Sequence, residues 1–202
     1  MSFASRITRL PRPFEPDLGA EALAATPWAE GDVATLIEGA GGTSPYLQGL
    51  IRKEADWLQP ALDDPDAALP ALLAELEAGA PDAVDGALRQ AKRRVALLAG
   101  LSDLAGVWSL EEVTGALTRF ADVAVQKALQ AAIAREIRRG KLPGATEDDI
   151  PTAGGMVVLA MGKMGAFELN YSSDIDLICL FDETRFERDA FHEARSAFVR
   201  AT

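Results

Sequence analysis

Two aspartates separated by one residue, Asp174 and Asp176, open the apolar run D-I-D-L-I-C-L-F that ends at Phe181. Side chains alternate along an extended strand, so the two carboxylates share a face while Ile175 and Leu177 point the other way. At about 7 Å apart along that face they are placed to share or bracket divalent cations. The same spacing also describes a solvated pair at a strand start, so Asp-x-Asp alone leaves both readings open. Ile178 and Leu180 continue the aspartate face and Cys179 and Phe181 the opposite one, which predicts a strand covered on both sides with Cys179 a buried, inert thiol. Acids at the open end of such a strand cost folding energy unless a metal or a donor meets them. Upstream, Gly162 and Gly165 follow a short apolar run. Glycines there let the backbone approach a ligand, and the N–H groups of a following helical turn are able to hold a phosphate. Ser172 and Ser173 add hydroxyls beside the carboxylates. A phosphate cradle next to two metal-binding acids is what metal-dependent nucleotidyl transfer requires. Glycines that serve only as turn residues are the alternative.

The elements that position these residues divide the chain into two textures. Met156 to Met161, M-V-V-L-A-M, and Asp174 to Phe181 read as strands, with a short helical patch around Phe167 to Asn170 between them. Residues 20–140 are Ala- and Leu-rich, broken by turn clusters at Gly39 to Thr43, Asp63 to Pro65 and Gly79 to Asp82, and so read as a string of helices. Ser44 before Pro45 starts one helix, Asp66 to Glu77 forms another ending at Gly79, and a third runs from about Asp82 to Gly100. Ser109 and Glu112 form a capping box that opens a long helix reaching Gly140, a spine of about 45 Å with Val113, Leu117, Phe120 and Ala124 on its buried stripe. Lys141 to Gly155 is a Gly/Pro-containing, acidic linker, and Glu187 to Arg200 is a last helix. The expected class is α+β, mostly α: a helical module over residues 1–145, then the start of a sheet with the Ser-Asp-x-Asp motif over 146–202.

Composition narrows the function. The 202 residues are 49% hydrophobic, enough for a core, and carry 20 Lys and Arg against 31 Asp and Glu, a net charge of −11 that repels phosphate backbones and disfavours nucleic acid as a partner. One cysteine forms no internal disulfide, and no apolar run approaches the roughly 18 residues of a membrane span, so a cytoplasmic protein is expected. Arg6, Arg9 and Arg12 alternate with Pro11, Pro13 and Pro16 without the apolar core of a secretory signal, which favours a frayed or packed-down terminus over a transit peptide. His192, the single histidine, reads as a helix-surface residue, and Trp28, Trp57 and Trp108 as core or helix-junction residues. Lys92, Arg93 and Arg94 form a basic patch, read as a solvated face, with a contact to an acidic partner as the sharper alternative.

Met161 to Leu177, M-G-K-M-G-A-F-E-L-N-Y-S-S-D-I-D-L, resembles the nucleotidyltransferase signature of the bacterial glutamine synthetase adenylyltransferase/adenylyl-removing family. That family holds two transferase halves of the DNA polymerase β superfamily. Weaker similarity runs through S-P-Y-L at Ser44 to Leu47 and through Leu88 to Val125, about half the chain in all. The family pattern Gly-Lys-Leu-Gly-Gly-Arg-Glu-Leu is departed from at Met164, Ala166 and Phe167, and no phosphate contact is carried to the last two. By resemblance, Asp174 and Asp176 are the catalytic, Mg²⁺-binding aspartates, Gly162, Gly165 and Ser173 edge the nucleotide phosphates, and Lys163 and Glu168 belong to the motif without a derived role.

The wording E-L-N-Y-S-S-D-I-D-L and the position of the motif behind a single helical region resemble the N-terminal, adenylyl-removing half. That half implies phosphorolysis of AMP from a tyrosine of glutamine synthetase, with inorganic phosphate and ADP or ATP as small partners, PII signalling proteins as regulators, and nitrogen metabolism as the setting. The superfamily also implies a third carboxylate on a later strand. Asp182 and Asp189 are the nearby aspartates, so the expectation is a truncated chain that is itself inactive. A non-catalytic helical interaction module, or another polymerase-β-like nucleotidyltransferase, are the competing readings.

Overall fold

Each early helix begins where the sequence provides a cap. The Ser44 side chain accepts from the Leu47 N–H with Pro45 in the first position, and Asp64 accepts from the Ala67 N–H ahead of Pro65. Ser109 and Glu112 close a reciprocal capping box. The computed structural model, which describes residues 2–202 apart from the side chain of Asp82, contains six α-helices before any strand among those residues. They are α1 (Pro16–Ala24), α2 (Gly31–Thr43), α3 (Pro45–Asp63), α4 (Pro65–Ala78), α5 (Val84–Leu104) and α6 (Leu110–Arg138). Then come β1 (Met156–Ala160), the one-turn α7 (Gly162–Gly165), β2 (Leu177–Phe181) and α8 (Phe191–Ala201). The chain is α+β and mostly α, as expected.

Three expected element boundaries are corrected. Gly39 to Thr43 is the last turn of α2, not a break. Its glycines are there for closeness: a Cβ on Gly39 would strike the Pro11 carbonyl, one on Gly41 the Ala22 methyl of α1, and one on Gly42 the ring of Pro13. Phe167 to Asn170 is not helical; the turn of helix precedes it at α7, and Phe167 (φ 63°) ends that turn in the left-handed region. The second strand starts at Leu177, not Asp174, because its partner strand runs out. β1 and β2 pair antiparallel from Met156 opposite Phe181 to Ala160 opposite Leu177. One further bond, from the Met161 N–H to the Asp176 carbonyl at 2.9 Å, ends the ladder as the chain turns into α7.

Packing makes α6 common to both textures. Its first half, with Val113 and Ala116, joins the core formed by α1 to α5, which also takes in Trp108 and the N-terminal Phe3 and is flanked by Trp28 and Trp57. The terminus is thus packed down. The second half of α6, through Leu129 and Ile133, covers one face of the sheet together with Ala194, Ala197 and Phe198 of α8. The opposite face, Val157, Leu159, Ile178 and Leu180, is bare, with Val157 57% and Leu180 51% exposed. The strand predicted to be covered on both sides is therefore covered on one, and Cys179 is exposed rather than buried. Nothing in the alternation of β2 distinguishes a covered apolar face from a bare one. His192 is exposed on α8, as expected.

Candidate functional site

The segment between β1 and β2 holds every residue of the Gly-to-Asp motif, and backbone chemistry fixes its path. Gly162 needs its φ of +57°, and a Cβ on Gly165 would run into the Ala160 carbonyl, so α7 lies tight against the end of β1. The Glu168 N–H donates to the Lys163 carbonyl at 2.8 Å, closing the turn. The Leu169 N–H then donates to the buried Thr118 hydroxyl of α6 at 3.2 Å, and that hydroxyl donates to the Thr114 carbonyl. Met164 and Leu169 bury themselves with Ala121 beneath this bond, so the motif is fastened to α6 rather than hanging from the sheet.

Asn170 shapes the approach to the aspartates. Its side-chain oxygen accepts the Ser172 N–H at 3.1 Å and the Ser173 hydroxyl at 2.7 Å, a turn that Asn favours by mimicking backbone. Tyr171 reaches toward Asp103 of α5, hydroxyl to carboxylate at 3.4 Å. Burial of the hydroxyl end and the adjacent Asp103 charge push this phenol well above its usual range, so it stays protonated although the residue as a whole is half exposed.

The predicted site residues fall into two neighbouring groups. Asp176 continues the sheet face of Ile178 and Leu180, opposite Met161, and its carboxylate lies against Gly162, 3.7 Å from where a Cβ of that residue would stand. Asp174, two residues earlier and outside the strand, lines a cavity with Ser173 and Asn170. Both aspartates are exposed. Among the described residues no three His, Cys, Asp or Glu side chains gather as a metal cage. Two carboxylates and a serine hydroxyl open to water are nevertheless a donor set that fits Mg²⁺, which keeps several waters and binds through one or two carboxylates plus substrate phosphate.

The sequence reading missed Asn170 and Tyr171, although Asn two residues before Ser is a turn signal. It also treated Lys92, Arg93 and Arg94 as one patch. Arg93 and Arg94 donate to the buried Glu54 carboxylate of α3 at 2.7 and 3.0 Å, so these two are engaged within the fold and only Lys92 stays on a solvated face. No helix among the described residues is long and apolar enough to cross a membrane.

Comparison with known proteins bears on this geometry. The family model described as glutamate-ammonia ligase adenylyltransferase matches residues 35–201. A bifunctional glutamine synthetase adenylyltransferase/adenylyl-removing enzyme from Caulobacter vibrioides is 44% identical over 162 residues, 78% of this chain and 16% of the relative. One of the same description from Bradyrhizobium diazoefficiens is 43% identical over 192 residues, 90% of this chain and 18% of the relative. Another from Rhodopseudomonas palustris is 37% identical over 222 residues and covers 100% of this chain and 22% of the relative. The chain therefore spans about a fifth of the length of these relatives. No solved structure matches. The matched region takes in α3 to α8 and with them the whole Gly-to-Asp segment, and on that evidence the chain belongs to the glutamate-ammonia ligase adenylyltransferase family.

Proposed function

We propose that this chain forms part of the adenylyl-removing centre that acts on glutamine synthetase, where inorganic phosphate displaces tyrosine from AMP. A phosphate oxygen bonds to the AMP phosphorus, the bond from phosphorus to the tyrosyl oxygen breaks, and the products are ADP and the tyrosine hydroxyl once it takes a proton. The observation that supports this best is the Asp176 carboxylate set against Gly162 at the end of β1, with Asp174 and Ser173 held two and three residues away by the Asn170 turn. Asp174 and Asp176 would hold Mg²⁺, which supplies charge stabilisation to the transferred phosphoryl group. Gly162 keeps a side chain out of the space beside Asp176, Gly165 lets the turn close against the Ala160 carbonyl, and the Ser173 hydroxyl retains an acceptor lone pair after donating to Asn170. The wording of the motif favours this half of the reaction over adenylyl addition. Glutamine synthetase as substrate, PII proteins as regulators and the cytoplasm as location complete the proposal.

The test is ADP release from adenylylated glutamine synthetase by an enzyme that contains these residues. Asp174→Asn and Asp176→Asn are each expected to lower the rate at least about a hundredfold while leaving the circular dichroism spectrum unchanged. Activity retained in both variants overturns the assignment. In-line transfer needs its groups held to a fraction of an ångström, and two carboxylates define less than that. The 202 residues alone are therefore expected to release ADP far more slowly than a full-length relative.

A further inference from the structure

A cavity of about 600 Å³ opens directly against the Ser-Asp-x-Asp segment, and apart from Ser173 and Asp174 the proposed reaction uses none of its walls. It lies between α5 and α6. Leu88, Val95, Leu117 and Phe120 line it with apolar surface, while Lys92, Asn170, Tyr171, Ser173 and Asp174 bring polar groups to it. Its volume is that of a small-molecule site, and an apolar lining with a few convergent polar groups is the usual build of one. Lys92 adds a second, independent sign. Its neighbours Arg93 and Arg94 are engaged by Glu54, whereas Lys92 makes no ion pair or hydrogen bond among the described residues and lines the same cavity as Asp174. A cation and a metal-binding carboxylate around one opening are the two charges that a phosphate ester carrying a cation needs.

We propose that this cavity is the base pocket of the site: the adenine ring of the transferred AMP lies between α5 and α6, its ribose hydroxyls meet Asn170 and Tyr171, and its phosphate sits between Lys92 and Asp174. The inference rests on the nucleotidyl-transfer reading above and adds to it a ligand subsite and a binding residue. The mixture of groups favours adenine over the tyrosyl ring on the other side of the same phosphorus. A nucleotide places a hydroxylated sugar between its planar ring and its phosphate, and the Asn170 amide N–H groups and the Tyr171 hydroxyl give that sugar partners. A tyrosyl ring has no such unit and would leave the Asn170 amide N–H groups unmet, while the Tyr171 hydroxyl would keep only its bond to Asp103.

Titrating the methyl-labelled 202-residue chain with AMP in the presence of Mg²⁺, observed by NMR, tests the assignment without relying on activity. Saturable shifts are expected at the methyl groups of Leu88, Val95 and Leu117, together with the amides of Ser173 and Asp174. Lys92→Met is expected to weaken AMP binding about tenfold, and Lys92→Arg to restore most of it. Ala124→Phe, which fills the groove from the α6 side, is expected to abolish the methyl shifts while helix content by circular dichroism is retained. Phenyl phosphate that moves the same methyl groups and displaces AMP overturns the proposal in favour of the tyrosyl ring. AMP shifts confined to residues 162–165 and 173–176 overturn the pocket and leave the nucleotidyl-transfer reading standing. No AMP-dependent change anywhere in the chain overturns both.

Discussion

Glu54 is the residue on which the helical region concentrates its charge. Its carboxylate is almost fully buried, accepts from the Arg93 and Arg94 guanidinium groups, and sits where α3 leaves helical geometry (φ −120°, ψ 21°). Arg94 also lies over the Trp57 ring at 5.2 Å. The arginines keep some contact with water and Glu54 does not, so the two sides of the cluster are unequal. Glu54→Gln is expected to cost about 1–2 kcal/mol, because the freed arginines rehydrate. The double variant Arg93→Met/Arg94→Met strands a buried charge and is expected to cost more, about 3–5 kcal/mol, as read from urea denaturation. Asp149 carries a pH signature instead. The Thr146 N–H foremost, and then the Arg185 guanidinium, hold its carboxyl below the usual range. A depressed folded value means that the stabilisation is present above the unfolded value of about 4 and is lost as pH falls through the folded one. Wild-type protein should therefore exceed Asp149→Asn in stability at pH 6, with the difference shrinking steadily in melts taken below about pH 4.

Among the elements, α6 has the most to do, since its 29 residues contribute to the helical core, to the core under the sheet and to the anchor of the Gly-to-Asp segment. It also finishes another helix. Lys127 is buried on α6, and its ammonium donates to the Glu77 and Gly79 carbonyls at 2.9 and 2.6 Å, at the end of α4. The last carbonyls of a helix have no partner within it, and a cation there also opposes the helix dipole. Lys127→Met keeps the stem and removes the donors. The expected cost is about 1–3 kcal/mol in denaturant midpoint, with faster amide exchange confined mainly to α4. Since α4 packs away from the Ser-Asp-x-Asp segment, AMP binding is expected to survive this change.

At the scale of the whole molecule, the sheet is covered by α6 and α8 on one face and bare on the other. Val157, Leu159, Ile178 and Leu180 form an apolar surface alongside Asp176, and each strand has one edge with unpaired backbone groups. A two-stranded ribbon owes its stability to what it packs on, here Phe198 stacked on Phe181 with ring centroids 4.5 Å apart. An exposed apolar face beside open strand edges leads us to expect that the isolated chain associates. Val157→Lys/Leu180→Lys is expected to leave the fold intact, lower the binding of an apolar dye and hold the chain monomeric in sedimentation at concentrations where wild type associates. Unchanged dye binding would place the exposed apolar surface elsewhere.

Local physics made much of this protein legible from its sequence. Caps act over three or four residues, so Ser44, the Ser109 and Glu112 box and the extent of α6 follow from neighbours in the chain, as does the motif from Gly162 to Asp176. The strand boundaries were legible only to within the length of a turn, because Asp174 resembles a strand residue until β1 ends opposite Leu177, with one last bond at Asp176, and leaves it no partner. What acts across distance was not legible. Glu54 meets arginines 39 and 40 positions away, the glycines at Gly39 to Gly42 serve the approach of α1 and the N-terminal arm, and a bare face of β2 has the same alternation as a covered one. The cavity that joins Lys92 to Asp174 exists only because α5, α6 and the segment before β2 converge there. Hydrogen bonds within a helix or turn are set by residues that are already neighbours. Which surfaces meet is set by how the elements pack, and no window of sequence contains both sides of such a contact.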